Sequence, residues 1–331
     1  MKAAMWRGVE QIDIEEVSLP TPGPLDVQVK VAACGVCGTD VHILEGKFPL
    51  FTPPRILGHE YVGTVTAVGK DVTKLKVGDH VAVEQGLPCD RCYFCRDGRE
   101  HLCTSRYAHP GGYAEYTSVL ERMVHKLPDG LPFEIGALAE PVACCLRVLD
   151  VTQIRSGDVA LVQGGGTIGL IMTQLLLHGG ITKVIVSEPV PHRRALAKAV
   201  GGIPVDPKSE DLAASLKTET DGLGPEYVFD CVGHPALLEQ GIEFVQKGGT
   251  VFIVGVADPA AAASVRPYRL FEKEIRIKTS YMRPYTFHRA VRWLPHLNLR
   301  PLLGVEYPLS ETKAAIHALR QSKGLKILVK P

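Results

Sequence analysis

Residues 159–169 read Val-Ala-Leu-Val-Gln-Gly-Gly-Gly-Thr-Ile-Gly, an apolar run that breaks into glycines and then opens an apolar helix. No other stretch constrains the fold as much. Gly164, Gly166 and Gly169 make a G-x-G-x-x-G pattern, which is weak alone but specific where it joins a strand to a helix. In that setting Gly164 makes the tight turn, Gly166 lets a pyrophosphate approach the backbone, and Gly169 lets the helix pack closely on the sheet. Thr167 and Ile168 begin the helix, whose N-terminus offers free N–H groups and partial positive charge to phosphates. The same grammar continues through a strand Lys183-Val-Ile-Val, a helix over 192–200, a strand Glu226-Tyr-Val-Phe-Asp, a helix over 236–245 and a strand Thr250-Val-Phe-Ile-Val. Alternating strands and helices imply right-handed crossovers, so this half predicts an α/β doubly wound parallel sheet that binds a dinucleotide. Glu188 follows the second strand, where its carboxylate can accept both adenosine ribose hydroxyls and so favours NAD. Arg193 and Arg194 follow closely and can bind a 2′-phosphate instead, which keeps NADP open. Val232 and Val254, beside the next two strand ends, complete the cofactor-side candidates.

The front of the chain follows a different pattern. Short β-rich runs such as Val27-Gln-Val-Lys-Val, Gly63-Thr-Val-Thr-Ala-Val and Asp79-His-Val-Ala-Val are separated by Gly and Pro, which predicts a compact, barrel-like β unit. With 331 residues the chain is long enough for about two domains. Behind the alternating half, helices are expected over 286–294 and 311–319. A final strand, Lys326-Ile-Leu-Val-Lys, is expected to return to the first domain. Lys plus Arg number 37 against 36 Asp plus Glu, so no broad basic field points to nucleic acid or an acidic membrane. Apolar runs stop well short of membrane-spanning length, and the first residues lack the apolar core of a signal peptide. The expectation is a cytoplasmic protein whose nine cysteines serve metal binding and packing rather than disulfides.

Two cysteine patterns carry the chemistry. Cys89, Cys92, Cys95 and Cys103 stand at spacings that can wrap a tetrahedral ion, with Zn–S distances of about 2.3 Å. Four thiolates leave no open position, so such a zinc is structural and locks a loop too poor in apolar residues to order itself. His101 lies within that loop and reads as solvated. The second pattern is Cys37-Gly-Thr-Asp-Val-His42 with Gly58-His59-Glu60, which gathers a thiolate, imidazoles, a hydroxyl and a carboxylate. That mixture suits a catalytic metal. Cys34, Cys144, Cys145 and Cys231 read as packing residues, the middle two on a helix opening after Pro141.

These motifs, together with Ala139-Glu140-Pro141, Phe229-Asp-Cys-Val-Gly233 and Gly248-Gly-Thr-Val, resemble the zinc-containing medium-chain dehydrogenases along the whole chain. The resemblance implies a GroES-like β-barrel catalytic domain over 1–145, including the structural zinc loop 89–103. A Rossmann dinucleotide domain over 146–280 and a return to the catalytic domain over 281–331 follow. It implies two zinc ions per subunit. Cys37 and His59 stand where the family places catalytic zinc ligands, while Glu60 and Glu140 compete to be the remaining protein ligand. Two carboxylates plus a thiolate would overcompensate Zn²⁺, so one is expected to bind directly and the other through water. Thr39 resembles the family's hydroxyl relay and His42 its outer imidazole. Glu140 lies at the entry to the dinucleotide domain, which suggests that metal and cofactor chemistry meet at the domain cleft.

A carboxylate at position 140 resembles the polyol and threonine branches of that family. The lead-in Val83-Glu-Gln-Gly-Leu-Pro-Cys89 resembles the polyol branch and lacks the histidine typical of threonine enzymes. Ile43 and Met282 depart from the sorbitol pattern, where an aromatic residue and an arginine are usual. Tyr107, His109 and Arg283 are therefore pocket candidates only, with Arg283 open to a substrate anion, a nicotinamide contact or the surface. The implied activity is hydride transfer between a secondary alcohol (a polyol, sugar or cyclitol) and NAD, giving a ketone. An L-threonine 3-dehydrogenase is the alternative, and a non-catalytic zinc- and dinucleotide-binding protein the more distant one. Members of this type are dimers or tetramers, and a homotetramer joined near Thr250-Val-Phe-Ile-Val and the Ala-rich loop 257–264 is the expected assembly.

Overall fold

The computed structural model describes residues 1–47, 51–106, 110–321 and 324–331. Its alternating half forms a six-stranded sheet in the order Ile203–Val205, Lys183–Ser187, Val159–Gln163, Tyr227–Asp230, Thr250–Ile253, Arg276–Thr279. Every pairing is parallel. Counted from the glycine turn, this is the 3-2-1-4-5-6 order of doubly wound dinucleotide folds. The inner strands are near-continuous apolar runs because helices cover both faces, and Leu161, Ile185, Val228 and Val251 are fully buried.

Four elements of this unit are absent from the sequence expectation. Ile203–Val205 is only three residues long. The helix Leu212–Glu219 buries just Leu212 and Leu216, a stripe too narrow to stand out as a period. The helix Pro267–Lys273 buries only Lys273, and the strand Arg276–Thr279 is mostly exposed. The last strand also corrects an expectation. Thr250–Ile253 is an inner strand with neighbours on both sides, so the sheet edge is Arg276–Thr279.

The front of the chain and its last fifty residues build the β unit. Its hub is the ten-residue strand Asp26–Gly35. Different parts of that strand pair antiparallel with Glu60–Val68, Tyr116–Leu120 and Lys326–Lys330. His80–Val83, Val124–Lys126 and Leu303–Pro308 complete a seven-stranded sheet. The expected return of 326–330 to the first domain is therefore seen in the register Leu328↔Gly35. Alternate residues Val27, Val29 and Val31 pack with Ile327 and Val329 in one core. The helix expected to open after Pro141 begins instead at Ala139. Proline sits in the first turn, where its missing N–H has no intrahelical partner to lose.

By its contacts the chain divides into one compact unit of Met1–Ala143 with Arg283–Pro331 and another of Cys144–Met282. Among the described residues no helix is long and apolar enough to cross a membrane.

Candidate active site

The strand Asp26–Gly35 runs into the short helix Gly38–Leu44, and Cys37 stands between them as the helix N-cap. Register pairs Gly35 with Glu60 at the start of the next strand. That pairing is what brings two separated motifs together. Cys37, His59 and Glu60 each offer a donor atom, and these atoms lie within 4.8 Å of one another. Thr39 Oγ1 is 3.7 Å from Cys37 Sγ. His42 occupies the last turn of the same helix, and its Nδ1 is buried with no hydrogen-bond partner among the described residues. Cys34 is fully buried, and desolvation pushes its thiol well above the usual range, as suits a packing residue.

The charges around this cluster are paired in ways the motifs did not reveal. Glu60 Oε2 accepts from Lys326 Nζ at 2.5 Å, with both side chains buried. Burial disfavours the Lys326 charge, but Glu60 and Cys37 outweigh that and hold its pKa above the usual value. Glu140 lies outside the three-donor group, and its Oε1 is 2.8 Å from Arg283 Nη1. Arg283 Nη2 also donates to the Gln85 carbonyl at 2.8 Å, and the residue is only 5% exposed. Arg283 is thus a buried partner of Glu140, which removes the surface alternative. Tyr107 and His109 lie outside the described residues.

Asp40, which the sequence reading passed over, is fully buried at the centre of the motif. Its Oδ2 accepts from the Cys37 amide and from the Tyr113 hydroxyl, each at 2.9 Å, and its Oδ1 is 3.7 Å from His59 Nδ1. Burial works against a charge on His59, yet Cys37 and Asp40 outweigh it and hold the imidazole at about 10. A carboxylate two residues before His42 was the available signal for Asp40. No local signal marks Lys326.

The cysteine tetrad forms a second cluster. Cys89, Cys92, Cys95 and Cys103 bring their sulfurs within 4.8 Å of one another, and Cys92 and Cys95 are 3.5 Å apart. Backbone amides of Cys95 and Thr104 lower the Cys92 thiol to about 6, whereas desolvation and neighbouring thiols push Cys95 up to about 12. His101 is half-buried rather than fully solvated.

In the other unit, Gly164 ends the strand Val159–Gln163 at φ +98°, a left-handed conformation that disfavours a side chain. A Cβ on Gly169 would lie 1.8 Å from the Gly164 carbonyl, so the helix Thr167–His178 can seat against the turn only with glycine there. Gly166 is that helix's N-cap, and the space where its side chain would be is open. Glu188 is buried, with Oε2 accepting from the Gly165 amide at 2.7 Å and Oε1 from the Val190 amide at 2.8 Å. Arg194 donates to the Glu188 carbonyl and pairs with Asp206. Arg193 is half-buried beside it, Val232 is exposed and Val254 half-buried.

Known proteins resemble this chain in sequence and fold. Residues 23–129 match the family model for the alcohol dehydrogenase GroES-like domain, and residues 167–295 match that for zinc-binding dehydrogenases. An L-threonine 3-dehydrogenase of Caldanaerobacter subterraneus subsp. tengcongensis is 31% identical over 97% of this chain and 96% of its own. The chain belongs to the zinc-containing alcohol dehydrogenase family. Within that family of oxidoreductases, a sorbitol dehydrogenase of Halalkalibacterium halodurans is 32% identical over 98% of this chain and 97% of its own. A structure provisionally assigned as a zinc-binding dehydrogenase of Sinorhizobium meliloti, bound to NADP, superposes with a TM-score of 0.95. It is 34% identical and covers 100% of this chain and 99% of that one.

The residues present fit the groups that the family binds. Four convergent sulfurs make a closed, soft donor set, and Cys37, His59 and Glu60 make a three-donor set of the type that keeps one position open. The open cradle at Gly166 and the helix N-terminus behind it fit a pyrophosphate.

Proposed function

We propose that this chain oxidises a secondary alcohol of a neutral polyol, sugar or cyclitol to the ketone, with NAD as the hydride acceptor. The observation that carries this reading is the Cys37–His59–Glu60 donor set with the Thr39 hydroxyl beside it. Three protein donors leave a tetrahedral zinc one position for an alcohol, which the tetrad does not. Glu60 is assigned as the direct carboxylate ligand, and Glu140, held by Arg283, as the outer one. Cys89, Cys92, Cys95 and Cys103 are assigned to a structural zinc. When bound, the catalytic zinc supplies a Lewis acid to the alcohol oxygen and the nicotinamide supplies the hydride acceptor. The chain's own residues manage the proton and the charge. Thr39 Oγ1 accepts the alcohol proton while giving up its own, and His42 Nδ1, at the far end of the same helix, takes the proton outward. Lys326 offsets the Glu60 carboxylate, so that carboxylate and thiolate can share one buried site.

Substrate and cofactor preference rest on which charges are already committed. Arg283 spends one nitrogen on Glu140 and another on the Gln85 carbonyl. That supports a neutral substrate over one with a carboxylate or phosphate, and so a polyol over threonine. Arg194 is committed to Glu188 and Asp206, while the buried Glu188 carboxylate would repel a 2′-phosphate, which supports NAD over NADP. The catalytic domain is assigned to Met1–Ala143 with Arg283–Pro331 and the dinucleotide domain to Cys144–Met282. The edge strand Arg276–Thr279, with Tyr268, Phe271 and Tyr281 exposed nearby in sequence, supports assembly into a homo-oligomer.

The test is NAD⁺ reduction over a panel of polyols, inositols, sugar phosphates and L-threonine, with NADP⁺ as control. A neutral polyol or cyclitol should exceed L-threonine by about tenfold or more in kcat/KM. Threonine leading the panel would replace the substrate reading. Absence of turnover with every alcohol at full zinc occupancy would end the catalytic one.

A further inference from the structure

A buried tyrosine outside every motif reaches the centre of the Cys37–His59 pair. Residues 111–113, Gly-Gly-Tyr, lie along the chain that leads into His59. Their amides donate to the carbonyls of Ile56, Gly58 and Leu57 respectively, at 3.0, 2.8 and 3.0 Å. Glycine makes this approach possible. A Cβ on Gly112 would lie 2.4 Å from the Tyr61 Cβ, and one on Gly58 would lie 2.9 Å from the Tyr113 ring. The fully buried Tyr113 ring therefore packs across the residue just before His59, and its hydroxyl donates to Asp40 Oδ2 at 2.9 Å. The same Asp40 oxygen takes the Cys37 amide, while Oδ1 faces His59 Nδ1 at 3.7 Å. Asp40 also sits in the first turn of the helix that carries Thr39 and His42.

We propose that Tyr113 is a positioning residue for the catalytic metal site, acting through Asp40 on Cys37 and His59; this rests on reading Cys37, His59 and Glu60 as zinc ligands. A fully buried carboxylate with three near neighbours can rotate once one of them is removed. Outer partners of a ligating imidazole set its ring orientation and basicity, which is how a hydroxyl two contacts from that imidazole can govern how tightly the metal is held. Packing alone would need the ring but not the hydroxyl.

The experiment follows zinc release from the fully loaded protein into a chromogenic chelator, comparing wild type, Tyr113→Phe and Tyr227→Phe. Tyr227 is the matched control, because its hydroxyl donates to Asp158 at 3.0 Å in the other unit. Cys37→Ser identifies which of the two release phases belongs to the mixed site. Tyr113→Phe should release that equivalent about tenfold faster, with the tetrad phase unchanged. Tyr227→Phe should lower the melting midpoint and leave both phases as in wild type. Equal release from wild type and Tyr113→Phe overturns the proposal and leaves the zinc reading standing. Acceleration of both phases alike in Tyr113→Phe also overturns it, since that is general loosening. Uptake of a single zinc equivalent by wild type overturns the zinc reading and this proposal with it.

Discussion

The two cysteine-containing clusters solve the same problem in opposite ways. The tetrad draws all its donors from Cys89 to Cys103, in a loop where three of the four side chains are half-buried and charge meets water close by. The Cys37 cluster takes its donors from two segments of the β unit, buries Glu60 and Lys326 almost completely, and imports cations from positions 283 and 326. A closed sulfur cage can be local because it needs nothing but its own ligands. A site that must leave one position open and keep water out needs compensating charge, and that charge has to come from wherever the fold can deliver it.

That contrast puts the largest effect on the mixed site's proposed ligands. Cys37→Ser or His59→Ala should lower turnover by about 10³-fold or more, worth about 4 kcal/mol in the barrier, without loss of far-ultraviolet circular dichroism. Steady-state kinetics on the preferred alcohol would check it, and wild-type turnover in either variant would dissolve the distinction between the clusters. Lys326→Met comes next. It strands Glu60 as a buried carboxylate without its cation, and urea unfolding of the metal-free protein should show a loss of about 3–5 kcal/mol. Adding Glu60→Leu should restore much of it; a double variant as unstable as the single one would mean the ion pair is not the cause.

Opening the tetrad tests the other side. Cys92→Ser should cost less than about tenfold in turnover, because a closed cage supplies order rather than chemistry. Limited proteolysis should instead locate new cleavage between residues 89 and 103. The smallest effect concerns Asp79, an ordinary barrel ion pair that accepts from the Lys76 amide and pairs with the exposed Lys126, each at 3.0 Å. Burial would raise its pKa, but the Lys76 amide and Lys126 hold it below the usual carboxylate range. Its contribution is therefore present above the unfolded carboxylate value and fades as pH falls through the lower folded one. Asp79→Asn should cost about 1–2 kcal/mol at pH 7, and the gap from wild type should close in acid below about pH 4. A gap that persists there would show that shape rather than charge matters at this turn.

The same contrast explains what the sequence made legible. The tetrad, the glycine turn and the five strands and helices around it are local patterns, and each was found where spacing and period put it. The polar edge strand Arg276–Thr279 escaped because an exposed edge need not be apolar. Helix Leu212–Glu219 escaped because two buried leucines are too few to define a period. Cys37 and His59 could be read as candidates from their motifs, but which of Glu60 and Glu140 lies with them could not. Proximity to the donor group is a matter of register, here the pairing of Gly35 with Glu60. Lys326 looked like one strand lysine among the chain's 37 basic residues, and Arg283 was a pocket candidate with no acid assigned to it. Nothing in a linear pattern says that a cation will be folded against an acid so far away in sequence, as Arg283 is against Glu140 and Lys326 against Glu60.

The return of the strand Lys326–Lys330 to the strand Asp26–Gly35 has a consequence for the order in which the molecule can be made. Synthesis runs from the N-terminus, and units fold as they emerge. A nascent chain of about three hundred residues already holds every proposed metal ligand and all six strands of the parallel sheet. It still lacks the strand that pairs with the hub and the ammonium that meets Glu60. The inserted unit can finish folding while the surrounding one waits, half-zipped, with an acid exposed at its heart. Any ion held by Cys37, His59 and Glu60 would therefore meet the Lys326 charge beside it only after residue 326 has emerged, whereas all four sulfurs of the tetrad are present as soon as Cys103 is out.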